Sequence, residues 1–566
     1  VSKQFLSAKS FISWLETRFV WLLLVVGVVL LLANLGNIYL WQDEAETALL
    51  SQRLGLYGLP LAFDGRNLIR QAPQDVQYTT DYVWVYHPWL PFYLTAVSFA
   101  LLGPTTFAAR LPYALAGLAT ILLFYCSLRH HFQDRRVAML GAILLLFCVP
   151  FALHARQCKY FPFAALFTVA TLDAYLRLRQ DHGLSLPKEI CTDDPFALQF
   201  SRAGPCDHPC FALPYFILAA FFLFQSNFGA FVPLMAALGL HFLLSRPHWA
   251  EVKRIGLAMG ILMLFVLPWA IYLQAWARGR YAFDVYRFVG HLVHYGVYVT
   301  GWVLPLPLAL LFGYFYMRRR GSFNLGASET SAVNLYILVI VLTLLFLSET
   351  FIWMYFSYIV QLVPLLMIPL ALTILKILDR SQLLGCMLIV LLVATNVLHV
   401  FPYILPLTRE FKWASLAPRQ YLADTDTLIA AAGHMRFDLA NYLYELTHDY
   451  NGPDEGIALF LREHAAAGDV VLTNYGELPI VFYTGLDIAG GLSGYRLERV
   501  GEPEWIINRR DGPYRDEVAH IIAHGHYEAI EIPYPDLLWG NRPVPEYHKF
   551  ATVHDVPNVI IHRRVD

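Results

Sequence analysis

The sequence predicts a polytopic α-helical membrane protein that carries a soluble α/β domain at its C-terminal end. Three observations predict it. Hydrophobic residues make up 57 % of the 566 residues and charged residues only 15 %, with mean hydropathy +0.48, which is too apolar for a soluble chain of this size. Apolar runs long enough to cross a hydrocarbon core of ~30 Å recur from Phe19 onward, and after Pro406 they stop while charge, Gly and His rise. The net charge of -2 leaves no basic face for nucleic acid, so membrane lipid and lipid-linked molecules are the partners that suit this chain. The seven cysteines are scattered and give no disulfide framework; Cys126, Cys148, Cys158 and Cys386 lie in or beside apolar segments.

The first expected crossing covers residues 19–40, behind Lys3, Lys9 and Arg18. Its length and the lack of a small-residue cleavage site before Trp41 predict an uncleaved anchor, and the basic flank puts the N-terminus in the cytoplasm. Residues 41–108 then form one outer loop. Within it, residues 88–103 are short and bracketed by prolines, and a crossing there would put the basic run at 129–136 outside. They read as an interfacial or re-entrant helix.

Further crossings are expected at 109–128, 137–153, 160–176, 211–226, 229–244, 255–276, 295–317, 332–348, 355–376 and 383–403, about eleven in all. The basic groups Arg177 with Arg179, Arg246 with Arg254, residues 318–320 and Lys376 with Arg380 then fall inside. An odd number leaves the C-terminus outside. The expected organisation is a transmembrane domain over 1–405 and an extracytoplasmic domain over 406–566, in a plasma or bacterial inner membrane. In the second domain, residues 454–468 read as an amphipathic helix with an acidic first turn, followed by a strand at 469–473. Strands at 504–510, 529–533, 548–553 and 558–564 and a helix near 514–524 complete an α/β unit.

Asp43, Glu44 and Glu46 follow the first crossing closely, where an ionised carboxylate is costly unless a partner or a task holds it. On a helix Asp43 and Glu46 share a face, while Glu44 points about a quarter-turn away. One carboxylate can therefore face a reaction centre while its neighbour props the loop. The expected topology gathers His87, Arg110, His154, Arg156, Lys159, Arg278, Arg280 and Arg287 on the same outer side, against the positive-inside bias. A phosphate at the membrane surface gives such cations a role; snorkelling, or pairing with the loop's own acids, is the alternative.

Two other groups carry less. His520 and His524 stand at i, i+4 but lack the acid of an HExxH pattern, and Cys191, Cys206, His208 and Cys210 read better as part of a polar insertion than as a zinc site. The crossings carry almost no ionisable residue between their ends, unlike ion-coupled transporters. Chemistry belongs at the outer surface.

The stretches WQDEAETALLSQRLGLYGLP, YHPWLPFYLTAVSFALLGPTTFAARLP and HARQCKYFPFAALFTVATLDAYLR resemble the N-terminal half of the glycosyltransferase C superfamily, in particular its protein O-mannosyltransferase and aminoarabinose transferase branch. The likeness is strongest over residues 20–180 and diffuse to about 405. It implies an enzyme that takes a sugar from a polyprenyl phosphate and passes it, with inversion, to a protein, glycan or lipid acceptor. It implies Asp43 as the catalytic carboxylate with Glu44 as its neighbour, Arg110 as a donor-phosphate or loop-anchoring arginine, and Arg156 and Lys159 as the basic positions after the third crossing. His87 stands where many bacterial members have lysine, Trp89 replaces the second proline of the usual pair, and Tyr160 opens the stretch where some members have an aspartate. No cofactor is implied, and no metal dependence carries over.

The chemistry suits those residues. A phosphate ester is already a good leaving group, so one base and a few cations suffice. The expected arrangement has Asp43 as base and His87, Arg110, Arg156 and Lys159 around the phosphate, with the prenyl chain in an apolar groove. A lipid-linked sugar flippase is the alternative; it would use the same donor without chemistry and needs a polar path through the bilayer.

Overall fold

The structure, a computed structural model, describes residues 8–71, 75–180, 209–275, 282–318, 323, 325–350, 354–403 and 427–565. Arg278, Arg280, Cys191, Cys206, His208 and the expected boundary at Pro406 lie outside them. Helix α1 (Ala8–Leu32) leads to α2 (Gln42–Tyr57), which carries the acidic stretch. Asp43 and Glu44 in its first turn favour the positive end of the helix dipole, and Gly58 ends it in the left-handed conformation (φ 78°), donating its N–H to the Leu54 carbonyl. The expected short helix is α3 (Leu90–Leu102), which packs on α2 and on α4 (Thr106–His131). Thr105 opens α4 by accepting the Ala108 N–H.

Helices α5 (Arg135–Leu146) and α6 (Val149–Ala155) bend by 65°, with Pro150 in the first turn of α6. Helix α7 (Phe161–Gln180) packs on α4 and on α8 (Pro209–Phe224); α9 (Phe228–Leu244) and α10 (Trp249–Tyr272) follow. Next, α11 (Val285–Tyr298) and α12 (Leu306–Met317) bend by 96° across Pro305. The expected single crossings at 137–153 and 295–317 are therefore each a broken pair. Proline removes a backbone N–H and its ring crowds the preceding turn, which explains both breaks. Helices α13 (Ala327–Thr350), α14 (Val363–Leu378) and α15 (Gln382–Ala394) complete this part.

Among the described residues, five helices are long and apolar enough to cross a membrane, or up to seven if each bent pair is one span. These spans mark an integral membrane protein. The apolar helical stretches searched at the other expected places, among them residues 18–32 of α1, have 10–17 residues, so length and composition among the described residues do not establish the count of eleven. One close approach positions the site: a Cβ on Gly117 of α4 would lie 2.6 Å from the Cβ of Ala155, so glycine lets α6 settle against α4.

The C-terminal part is helices around a five-stranded sheet. It contains α16 (Asp438–Glu445), α17 (Pro453–His464), β1 (Val470–Thr473), α18 (Glu477–Thr484), β2 (Asp487–Gly490), β3 (Trp505–Ile507), α19 (Arg515–His524), β4 (Tyr527–Pro535) and β5 (Asn558–Arg564). The order is β2-β1-β3-β5-β4, with β1 parallel to β2 and β3, and β5 antiparallel to β3 and β4. Leu472 pairs with Ala489 on one side and Ile506 on the other, a small apolar core. The strand expected at 548–553 is absent, because His548 is turned inward onto Glu445 (2.6 Å) and Lys549 N–H closes onto the Gly540 carbonyl (2.8 Å). Tertiary contacts override strand propensity there. The short β2 and α18 were not expected, and α18 docks the sheet on α2.

Candidate functional site

The three carboxylates of α2 have separate surroundings. Glu44 is fully buried and takes Arg110 in a two-pronged pair, Nε to Oε1 at 2.8 Å and Nη2 to Oε2 at 2.6 Å. Oε1 also accepts the Cys158 N–H at 2.7 Å. The remaining Arg110 nitrogen donates to the carbonyls of Leu35 (3.2 Å) and Ile38 (2.8 Å). Arg110 thus stands in the loop-anchoring place. Arg156 likewise turns to the backbone, donating to the carbonyls of Leu31, Ala33 and Asn34 at 3.2, 2.7 and 3.2 Å. These are orphan carbonyls at the end of α1, which a guanidinium satisfies well.

Asp43 and Glu46 share the other face of α2. Glu46 is buried and is held by Lys159 Nζ (2.8 Å), His87 Nδ1 (3.4 Å) and Gln71 Nε2 (2.7 Å). Burial alone would push its pKa up, but the Lys159 ammonium, with His87, holds it down to about 2. Burial also disfavours the Lys159 ammonium, and Glu46 and then Asp43 more than restore it. Lys159 Nζ lies 4.0 Å from Asp43 Oδ2. Asp43 is the open carboxylate: its side chain is 33 % exposed, against 3 % for Glu46 and 0 % for Glu44. The His87 ring stands 5.5 Å from the Tyr160 ring and 4.7 Å from that of Tyr86, a wall of aromatic faces beside the acids. The site can take a proton at Asp43 next to a fixed positive charge.

Residues 86–184 match the family model described as dolichyl-phosphate-mannose-protein mannosyltransferase, a span that includes His87, Arg110, Arg156, Lys159 and Tyr160 but not Asp43 or Glu44. The structure is similar to that of ArnT from Cupriavidus metallidurans bound to undecaprenyl phosphate, with 14 % identity, a TM-score of 0.59 and coverage of 97 % of this chain and 98 % of that one. The chain has the fold of that ArnT. For the apo state of ArnT from Cupriavidus metallidurans the identity is 15 %, the TM-score 0.56 and the coverage 98 % of each chain. No curated protein matches the sequence.

Within this fold, Asp43, Glu46, His87, Lys159 and Tyr160 come together, whereas Arg110 and Arg156 are spent on the chain itself. His154 is a core residue, with Nδ1 2.7 Å from the Pro150 carbonyl and Nε2 3.1 Å from Ser357 Oγ. Arg287 points to Glu349 (3.3 Å). His524 Nδ1 donates to the His520 carbonyl at 2.8 Å, and no group of three or more His, Cys, Asp or Glu among the described residues is placed to hold a metal ion.

Sequence reasoning missed the side that the C-terminal part supplies. Arg542 lies over the rings of Trp41 (4.9 Å) and Tyr355 (4.7 Å) and interacts electrostatically with Asp43. Glu477, at the start of α18, accepts Gln42 Nε2 at 2.6 Å, while its Oε2 is buried without a partner. Burial raises the Glu477 pKa to about 7. Nothing local in the sequence links residue 542 to residue 43.

Proposed function

We propose that the protein is an integral membrane glycosyltransferase that takes a hexose or pentose from a polyprenyl phosphate and passes it, with inversion, to a hydroxyl of a protein, glycan or lipid acceptor. The observation that carries this reading is the division of labour among three neighbouring carboxylates: Glu44 and Glu46 are spent on buried cations, and Asp43 is open beside a fixed ammonium. The acceptor oxygen attacks the anomeric carbon, and its proton goes to the Asp43 carboxylate. The bond from that carbon to the phosphate oxygen breaks, and its electron pair stays on the phosphate. One carboxylate on the face of the sugar opposite the phosphate gives inversion in a single step, as the water-activating base does in inverting glycosidases. Tyr86, Tyr160 and His87 offer ring faces to the sugar. The undecaprenyl phosphate named with the ArnT structure supports a lipid-phosphate donor. We place the reaction on the extracytoplasmic side of a plasma or bacterial inner membrane, with a cytoplasmic N-terminus.

The test is reconstitution with a panel of radiolabelled polyprenyl phosphate sugars, with and without cell-envelope extract, following release of polyprenyl phosphate. Release that needs both the extract and Asp43 is the expected result. An Asp43→Asn protein that folds, binds donor and keeps full turnover overturns the reading. Donor moving between leaflets without release, unaffected by that substitution, marks a flippase instead.

A further inference from the structure

We infer that Arg542, presented by the C-terminal part of the chain, binds the donor phosphate at the Asp43 site; this rests on the transferase reading above. The charge count at the site motivates it. Asp43 and Glu46 bring two negative charges and Lys159 one positive charge already engaged by Glu46 at 2.8 Å. Of the other expected cations, Arg110 is taken by Glu44, Arg156 by the carbonyls that end α1, and His87, charged only when protonated, lies against Glu46 at 3.4 Å. A phosphate arriving at this face would meet net repulsion from these groups unless another cation stands there.

Arg542 stands there, hydrogen-bonded to Tyr355 and within the field of Asp43 but in no salt bridge among the described residues. Its guanidinium lies over the rings of Trp41, Tyr355 and Trp539 at 4.9, 4.7 and 6.0 Å, which holds the plane while leaving its edge for hydrogen bonds. Its Nε is buried without a hydrogen-bond partner, and among the described residues no carboxylate lies within 4.0 Å of it. Glu546, four residues along the same loop, accepts the Tyr298 hydroxyl instead. A half-buried guanidinium with an unpaired Nε and no carboxylate at salt-bridge distance keeps donors for an anion, whose binding offsets the cost of taking that charge out of water.

The loop around Arg542 is fixed on both sides. Asn541 Nδ2 donates to the Tyr39 carbonyl at 3.3 Å, just before α2, and His548 bridges the Arg542 carbonyl (2.8 Å) and Glu445 (2.6 Å). The Arg542 N–H donates to the Trp539 carbonyl at 3.2 Å. Such clamping presents the guanidinium in one place, so little ordering is left for the moment of binding. When the sugar–phosphate bond breaks, the electron pair left on the phosphate oxygen falls beside this guanidinium. A charge-assisted contact gains strength as that charge develops.

The experiment measures binding of polyprenyl phosphate and of the unphosphorylated polyprenol of the same length to full-length wild type, Arg542→Gln and Arg542→Lys in lipid nanodiscs, with turnover in parallel. Wild type prefers the phosphate, and Arg542→Gln cuts that preference by about 10- to 100-fold, as expected for a lost hydrogen bond to a charged group. Arg542→Lys restores part of it, because an ammonium keeps the charge but not the fork. If Arg542→Gln weakens both ligands equally, the residue is structural and the inference fails. It also fails if the phosphate preference survives while turnover falls only with acidic acceptors. Phosphate binding that depends on Arg542 in a wild type that releases nothing from any sugar donor would sink the transferase reading and leave the binding site standing.

Discussion

The two faces of α2 carry the same chemistry to different ends. On one face Glu44 and Arg110 close on each other, and Arg110 Nη1 and Glu44 Oε1 also meet backbone groups. On the other face Glu46 and Lys159 also pair, but Lys159 still reaches toward Asp43, which keeps a third of its side chain open. A buried ion pair closed on itself and tied to backbone groups is an anchor. One that leaves a charge facing an open carboxylate is a poised site.

That contrast is broken first at Asp43. Asp43→Asn removes the base and is expected to lower turnover by up to ~10⁴-fold, with little change in the thermal unfolding midpoint. On the anchor face the order of effects reverses. Arg110→Ala strands the Glu44 carboxylate in a buried place, and is expected to cost about 3–5 kcal/mol of stability, read as an earlier unfolding transition in detergent. Lys159→Gln tests the poised pair directly: turnover falls by about 10- to 100-fold, and the protein tolerates it better than loss of Arg110. Should Lys159→Gln unfold the protein as readily as Arg110→Ala, the distinction between anchor and site collapses.

The smallest effect concerns the seam between α2 and the C-terminal sheet. The folded-state pKa of Glu477 is about 7, above the ordinary 4.5, so the folded protein holds this proton more tightly than the unfolded chain. Its stabilising contribution is complete below about pH 4.5 and is lost as pH rises toward about 7. Glu477→Gln should flatten that part of the stability profile and raise the unfolding midpoint above pH 7. A profile unchanged by the substitution would show that the seam does not titrate.

Much of the fold was legible because membrane spans and their breakers are local signals. The apolar runs, the prolines that break α5 from α6 and α11 from α12, and the acidic first turn of α17 all act within a few residues. The breaks themselves were read through, since hydropathy averages over a proline. The strand expected at 548–553 failed for the opposite reason: a distant partner, Glu445, holds His548 inward.

At the site, the sequence by itself determined that Asp43 and Glu46 share a helix face apart from Glu44, because a three-residue spacing sets direction on any α-helix. It also determined the kinds of cation available. Only the tertiary structure decided which carboxylate stays open, that Arg110 and Arg156 are consumed in holding the chain, and that Arg542 arrives across some five hundred residues to face Asp43. Spacing along a helix fixes where a side chain points; the partner it meets there is set by the packing of segments far apart in the chain, and that packing fixes burial and hence charge.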